Sequence, residues 1–119
     1  MNILNQKKIT KIISNLIQDK RGFDITIINV SKLSTLTDYF ILCTGESEPQ
    51  IKAIVKHIKD GLSKENIKPL HIEGTENLNW VLLDYIDIVI NIFNPQMRDY
   101  YNIERLWSDA IITKVKNEK

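Results

Sequence analysis

Two stretches of the chain place apolar side chains at the spacing of an amphipathic helix. In the first stretch these positions are Ile9, Ile12, Ile13, Leu16 and Ile17, and in the second they are Ile51, Ile54, Val55, Ile58 and Leu62. We predict that the first helix ends at Arg21-Gly22, with Gly22 as its left-handed cap. The second should begin with Ser47 as its N-cap, with Gln50 completing a capping box, and end near Asn66.

Five shorter segments rich in Ile, Val and aromatic residues predict β-strands. They are residues 24–30, 39–44, 70–73, 80–84 and 87–93. The segment 39–44 is apolar on both faces, which is typical of a central strand. The last two segments should form an antiparallel pair joined by a tight turn at Tyr85-Ile86. One face of the final strand carries Ile86, Ile88, Ile90 and Ile92, and we expect that face to pack in the core.

The C-terminal part of the chain predicts a further helix. Asn94-Pro95 is a favourable start, and Asn102 could act as a cap that restarts the helix. An apolar stripe follows at Ile103, Leu106, Trp107, Ala110 and Ile111. The resulting order predicts an α+β (mixed α/β) fold. We expect one domain, residues 1–119, with a mixed sheet of about five strands flanked by helices and frayed ends at 1–6 and 114–119.

The composition is that of an ordinary globular domain. Of the 119 residues, 43% are hydrophobic and 26% are charged, unlike a disordered chain. Cys43 is the only cysteine, so a disulfide framework and a cysteine-based zinc site within one chain are excluded. A single thiol also suits a reducing compartment. No run approaches 18 apolar residues, so we expect no membrane span.

Charge is distributed unevenly along the chain, although the net charge is only +1. Residues 1–23 carry a local charge of +4, which reads as the solvated side of the first helix. Residues 69–97 carry −4, from Glu73, Glu76, Asp84 and Asp87, and contain no lysine or arginine. A nucleic-acid-binding protein needs a concentrated basic face, so we expect no direct nucleic-acid readout. The acidic segment suits a basic protein partner.

The aromatic residues are concentrated near this acidic segment. Six of the nine lie between positions 80 and 107: Trp80, Tyr85, Phe93, Tyr100, Tyr101 and Trp107. Core packing is the simpler interpretation and is favoured for Trp107. Trp80 and Tyr85 flank an acidic turn, where aromatic side chains are less easily buried. Aromatic anchors beside charged groups are typical of interface hot spots.

Two groups of polar residues resemble parts of catalytic or metal sites, and each has a simpler interpretation. Gly45-Glu46-Ser47 lies between a strand and a helix, as phosphate-binding turns do. It lacks the length and the lysine of a P-loop and fits a helix cap. Asp84 and Asp87 could bind a metal ion together. Two residues on one strand face are two apart, whereas these are three apart, which favours a surface role.

The remaining candidates for chemistry are isolated in the sequence. His57 lies on a lysine-rich helix, and His71 alternates with Leu70 and Ile72, so both histidines should face solvent. Cys43 lies within an apolar strand and is expected to be an inert core residue. We therefore predict no catalytic residue, no metal and no cofactor.

Three blocks of the sequence form a recognisable pattern. The first is residues 37–47 (TDYFILCTGES); the second joins residues 72–74 (IEG) to residues 80–90 (WVLLDYIDIVI); the third joins residues 98–101 (RDYY) to residues 103–107 (IERLW). This pattern resembles the Iojap family, the bacterial ribosomal silencing factors. The match covers roughly residues 7–111, and three ordered blocks are far more specific than one short motif.

The resemblance implies a fold, a partner and a mode of action. The family fold is a mixed sheet with helices, similar to nucleotidyltransferases but without their catalytic set. Its members bind the fourteenth protein of the large ribosomal subunit, obstruct joining of the small subunit, and lower translation when nutrients are scarce. Isolated members are often homodimers. A non-enzymatic repressor in a bacterial cytoplasm is therefore expected.

Two positions depart from the family pattern. The family usually has Gly where this chain has Ile86, and a β-branched residue resists the positive φ that Gly allows in a turn. The turn is therefore expected to take another shape. The family usually has His where this chain has Asn91, so a role that needs an imidazole at this position is not expected here.

Our hypothesis from the sequence is steric repression through a surface on the last strands. It assigns partner binding to Trp80, Leu82, Asp84, Tyr85, Asp87, Arg98, Tyr100 and Tyr101. An enzymatic alternative is a magnesium-dependent nucleotidyltransferase using Ser47, Asp84 and Asp87. A second alternative is a dimeric adaptor for some other basic protein.

Overall fold

Four helices and six strands make up the part of the chain that the computed structural model describes, residues 6–116. In chain order they are α1 (Gln6–Asp19), β1 (Phe23–Asn29), β2 (Tyr39–Thr44), α2 (Glu48–Ser63), β3 (His71–Glu73), β4 (Trp80–Asp84), β5 (Ile88–Phe93), α3 (Pro95–Tyr101), α4 (Ile103–Leu106) and β6 (Ile111–Lys114). The ends at 1–5 and 117–119, where fraying was expected, lie outside the described residues.

All six strands form one mixed sheet in the order β3-β4-β5-β2-β1-β6. β2 and β5 run parallel, and the other neighbouring pairs are antiparallel. The prediction that β2 is central is confirmed, because it lies between β5 and β1. The predicted α+β domain with a mixed sheet is also confirmed, with one strand more than expected.

The main core lies between the sheet and the two long helices. α1 and α2 bury Ile13, Ile17, Ile54 and Ile58 against one face of the sheet. Cys43 belongs to the same core, and burial raises the pKa of its thiol to about 12. A protonated, enclosed thiol is a poor nucleophile, which agrees with the inert role predicted for it.

The opposite face of the sheet is only partly covered. The short helices α3 and α4, with the segment that follows them, pack over a small cluster formed by Ile28, Val30, Leu42 and Phe93. Trp107 contributes to this packing, with its ring centroid 5.5 Å from that of Phe40. Its predicted role in the core is therefore confirmed, while the β3 and β4 side chains on this face are exposed or half-buried.

The prediction of a C-terminal helix that includes Ile111 is wrong. The helical segment stops at Leu106, and Ile111–Lys114 forms β6, which pairs antiparallel with β1 through positions such as Ile28 and Ile112. Lys114 therefore belongs to a strand, and Gln6 to α1, so neither is part of a frayed end. The β-branched run 111–113 favours a strand once β1 offers a partner.

The predicted cap at the start of α2 is confirmed, and the predicted cap at the end of α1 is corrected. Ser47 caps α2, accepting a hydrogen bond from the Gln50 amide at 3.3 Å. The left-handed residue after α1 is Arg21, with φ 63°, and not Gly22. Gly22 is needed for a different reason, because a Cβ there would lie 2.3 Å from a side-chain carbon of Ile17.

Candidate protein-binding surface

Alternation along β4 divides its side chains between the two faces of the sheet. Val81 and Leu83 are fully buried in the main core. Trp80, Leu82 and Asp84 point to the other face and are half-buried. The strand register brings further side chains beside them, so the uncovered area, here called the open face, consists of His71, Glu73, Trp80, Leu82, Asp84 and Val89.

Trp80 is held in one orientation on the open face. Its indole N–H donates a hydrogen bond to Oδ1 of the buried Asn91 at 2.9 Å, and its ring lies 5.0 Å from Phe93 between centroids. Asn91 thus serves here as the acceptor that positions the tryptophan. A fixed indole loses little conformational entropy when a partner binds it.

The aromatic packing continues from Trp80 onto α3. The Tyr101 ring lies 4.5 Å from Trp80, and Tyr100 stacks on Tyr101 at 5.0 Å between centroids. Exposure rises along this series, to 45% for Tyr101 and 71% for Tyr100. The four rings Phe93, Trp80, Tyr101 and Tyr100, here called the aromatic ladder, lead from the core to the surface beside the open face.

Asp84 sets the turn between β4 and β5. Its Oδ1 accepts a hydrogen bond from the Ile86 amide at 2.8 Å. The Asp87 amide donates to the Tyr85 carbonyl at 2.9 Å, and Ile86 between them has φ 74°. This is a γ-turn with positive φ at its centre, a rare and strained type. The expectation that Ile86 gives the turn another shape is wrong, because Ile86 adopts the positive φ that a β-branched residue resists.

Two predicted orientations in this hairpin are wrong. Ile86 does not join the core-facing isoleucines of β5, because it lies in the turn and is 56% exposed. Tyr85 is not an exposed anchor. It continues the buried alternation of β4 on the helix side of the sheet, is only 5% exposed, and has its pKa raised to about 12 by burial.

Arg98 is also not exposed, in contrast to the role in partner contact predicted for it. Its side chain is only 9% exposed, and its guanidinium donates hydrogen bonds to the hydroxyls of Thr44 and Thr26 and to the Glu104 carboxylate, at 2.9 to 3.0 Å. Partial burial alone would raise the pKa of Glu104, but the hydrogen bond and charge of Arg98 hold it below its usual range. Arg98 therefore fastens α3 to the sheet and to α4.

The residues of the proposed nucleotidyltransferase site are far apart. Asp84 and Asp87 lie beside the start of β5, which pairs with Tyr39 at the start of β2. Ser47 follows the other end of β2. A six-residue strand is about 16 Å long, so these three side chains do not converge. Within residues 6–116, no group of three or more His, Cys, Asp or Glu side chains could hold a metal ion.

The open face combines apolar and charged side chains. Leu82 and Val89 supply apolar area beside Trp80, and Glu73 and Asp84 supply the carboxylates of its β3 and β4 part. His71 lies 2.9 Å from Glu73. Val89 and Glu73 were missing from the set predicted from sequence. The strand register brings them beside Leu82 and Asp84, and that register was not deducible from composition.

Residues 4–119 match the family model described as ribosomal silencing factor during starvation. The chain belongs to the ribosomal silencing factor family. The resemblance found in the three sequence blocks is thereby confirmed. Membership in this family makes the chain a ribosome-associated regulator of translation.

Individual relatives agree with this membership. A ribosomal silencing factor of Bacillus subtilis is 40% identical over 107 residues, which is 90% of this chain and 91% of that protein. The mouse protein named mitochondrial assembly of ribosomal large subunit protein 1 is 31% identical over 101 residues, 79% of this chain and 42% of that protein. The crystal structure of protein CV0518 from Chromobacterium violaceum superposes with a TM-score of 0.84 at 33% identity, covering 100% of this chain and 98% of that chain.

No helix within residues 6–116 is both long enough and apolar enough to cross a membrane. The longest, α2, has 16 residues and an exposed lysine-rich face.

Proposed function

We propose that this chain represses translation by binding the large ribosomal subunit through that subunit's fourteenth protein, and by sterically blocking the joining of the small subunit. Family membership supports the ribosome as the target. The observation that supports this surface is the aromatic ladder beside an uncovered part of the sheet. Repression of this kind would slow translation when nutrients are limited.

The proposed contact surface consists of the open face, the exposed end of the aromatic ladder, and Asp87 at the turn between β4 and β5. Trp80, Leu82, Tyr100 and Tyr101 supply the apolar contact. Aromatic anchors at the centre of an interface contribute about 2 kcal/mol or more each. Tyr85 and Arg98 remain part of the proposal only as supports, because their side chains are buried.

The acidic side chains determine which partner surface fits. Asp84 and Asp87 are half-buried near the turn, and Glu73 is exposed on the neighbouring strand. These carboxylates favour a basic and apolar patch on the ribosomal protein, and they act mainly on orientation and association rate. Such binding needs no bond to form or break, so the proposed role is not enzymatic.

We further propose that the free protein is a cytoplasmic homodimer, as the resemblance to isolated family members implies. Light scattering at several protein concentrations would test this: a mass near 13.9 kDa at all of them would rule the dimer out. A dimer that disappears when large subunits are added would indicate that dimerisation and ribosome binding use overlapping surfaces.

Co-sedimentation with purified large subunits tests the contact surface. Wild type should pellet with the subunits, and Trp80→Ala should lose most of its binding, because the variant removes the centre of the aromatic ladder. Asp84→Asn is the sharper test of charge, since an asparagine oxygen can still accept from the Ile86 amide. It should fold normally and bind more weakly, with a smaller salt dependence.

A matched control for the apolar contact is Ile111→Ala. Ile111 is exposed like Tyr100 but lies on β6, the edge strand farthest from β3. It should bind as well as wild type. Equal binding by Trp80→Ala and wild type would refute the surface. Failure of wild type to bind would refute the function, and recovery of a different basic protein from a lysate would favour the adaptor alternative.

A further inference from the structure

A cavity of about 480 Å³ lies on the helix side of the sheet, opposite the open face. Its walls come from the first half of α1, from the loop that follows α2, and from the turn between β4 and β5. This volume is within the range of sites that bind small molecules. Trp80, Leu82 and the α3 tyrosines do not line it, so it is separate from the apolar part of the proposed ribosomal contact, and Asp87 at the turn borders both.

The Tyr85 side chain, which lines this cavity, has an unused hydrogen-bonding group. Its hydroxyl is buried and has no hydrogen-bond partner among the described residues. Native proteins satisfy the large majority of buried polar atoms, and an exception calls for an explanation. Because the pKa of Tyr85 is about 12, the hydroxyl stays protonated at neutral pH and can donate to a ligand.

The apolar walls of the cavity are aliphatic. Ile9 and Ile12 line it from α1, Ile67 from the loop after α2, and Ile86 from the turn. Ile86 is held there at φ 74°, and the residue is 56% exposed. Both the strain and the exposure are unfavourable in the free protein, and strained residues of this kind cluster at binding sites.

Four charged side chains complete the lining. Lys8 and Lys68 carry positive charge, and Glu65 and Asp87 carry negative charge. None of them forms a salt bridge with another described residue. Two charges of each sign suit a ligand that itself carries both an anionic and a cationic group.

We propose that this cavity binds a small zwitterion with an aliphatic side chain, which is the chemistry of free leucine or isoleucine. The aliphatic group packs on the isoleucine walls. The carboxylate accepts a hydrogen bond from the Tyr85 hydroxyl and lies near the lysines, and the ammonium group lies near Glu65 and Asp87. The site does not depend on the ribosomal function and can be tested on the isolated chain.

Titration of the ¹⁵N-labelled protein with L-leucine tests the site directly. Leucine at millimolar concentration should produce saturable shifts of amide signals from residues 8–12, 65–68 and 85–87. Two analogues separate the charges: 4-methylpentanoate lacks the ammonium group, and isopentylamine lacks the carboxylate. Each should bind at least about tenfold more weakly than leucine. Equal affinity for leucine and 4-methylpentanoate, or no saturable shift with leucine, would overturn the proposal.

Tyr85→Phe tests the role of the hydroxyl. It removes a buried group that has no partner, so the free variant should be at least as heat-stable as wild type, while its affinity for leucine should fall about three- to tenfold. The same exchange at Tyr100, on the other side of the sheet, should leave leucine binding unchanged. Unaltered leucine affinity in Tyr85→Phe, or a loss of stability without ligand, would contradict the assigned role.

Discussion

Trp80 and Tyr85 flank the same acidic turn in the sequence but lie on opposite faces of the sheet. Their residue types and charged neighbours predicted exposure for both. The alternation of β4 determines the outcome, since Tyr85 continues the buried series of Val81 and Leu83. Composition therefore located the correct segment, but only the phase of the strand distinguished the surface residue from the core residue.

Ile86 shows a different limit of the sequence pattern. Alternation back from Ile88 places it in the core, but the chain reverses direction between Tyr85 and Ile88. The side chain is exposed, and the backbone adopts a φ that a β-branched residue resists. The predicted and observed positions of Ile86 differ because a turn interrupts the two-residue period of the strand. The period alone does not reveal at which residue the chain begins to reverse.

Replacing Ile86 by glycine should stabilise the free protein. Glycine adopts φ 74° without steric strain, and this gain exceeds the entropy that glycine adds to the unfolded chain, leaving about 0.5–1 kcal/mol. Urea unfolding of wild type and Ile86→Gly would measure it. Leu70→Gly is the control, because Leu70 is exposed but is not at positive φ, and it should not stabilise. A less stable Ile86→Gly would contradict the strain described for the turn.

At the scale of elements, local signals predicted α1, α2, β2 and the β4–β5 hairpin. Their periodicity and caps lie within the segments themselves. β6 was missed because Ile111 continues the apolar stripe of the preceding helix, and because its strand conformation depends on pairing with β1, more than 80 positions earlier. Contacts between distant positions also hid the role of Arg98, whose hydrogen bonds to Thr26 and Thr44 span 72 and 54 positions and join α3 to two strands.

Arg98→Met should loosen the attachment of α3 and α4. It keeps an apolar stem but removes three hydrogen bonds, leaving the Glu104 carboxylate without its partner. We expect a loss of about 2 kcal/mol in the free energy of unfolding. Arg105→Met, at an exposed arginine on α4, should change stability by less than about 0.5 kcal/mol. Equal effects of the two variants would show that the buried contacts contribute little.

The same contact predicts a dependence of stability on pH. The pKa of Glu104 is lowered in the folded state, so its contribution is fully present above the pKa of an unfolded glutamate. It is lost as the pH falls through the lower, folded-state pKa. Thermal unfolding across this acidic range should therefore show a weaker pH dependence for Glu104→Gln than for wild type. Identical pH profiles would contradict the assignment.

At the scale of the whole molecule, the sheet has two unequal faces. Long helices seal one face, apart from the cavity above Tyr85, and short helices leave part of the other uncovered. The sequence predicted the fold class and the family, because these depend on patterns spread along the chain. The extent of the open face could not be predicted, since it depends on the strand order and on how far α3 and α4 reach across the sheet.

Subunit joining tests the central claim most directly. Purified small and large subunits would be mixed with wild type or with Trp80→Ala, and the joined ribosomes separated on a sucrose gradient. The proposed mechanism predicts that wild type reduces the joined fraction and remains with free large subunits, whereas Trp80→Ala leaves joining unaffected. An undiminished joined fraction, with wild type bound to the large subunits within it, would contradict steric repression.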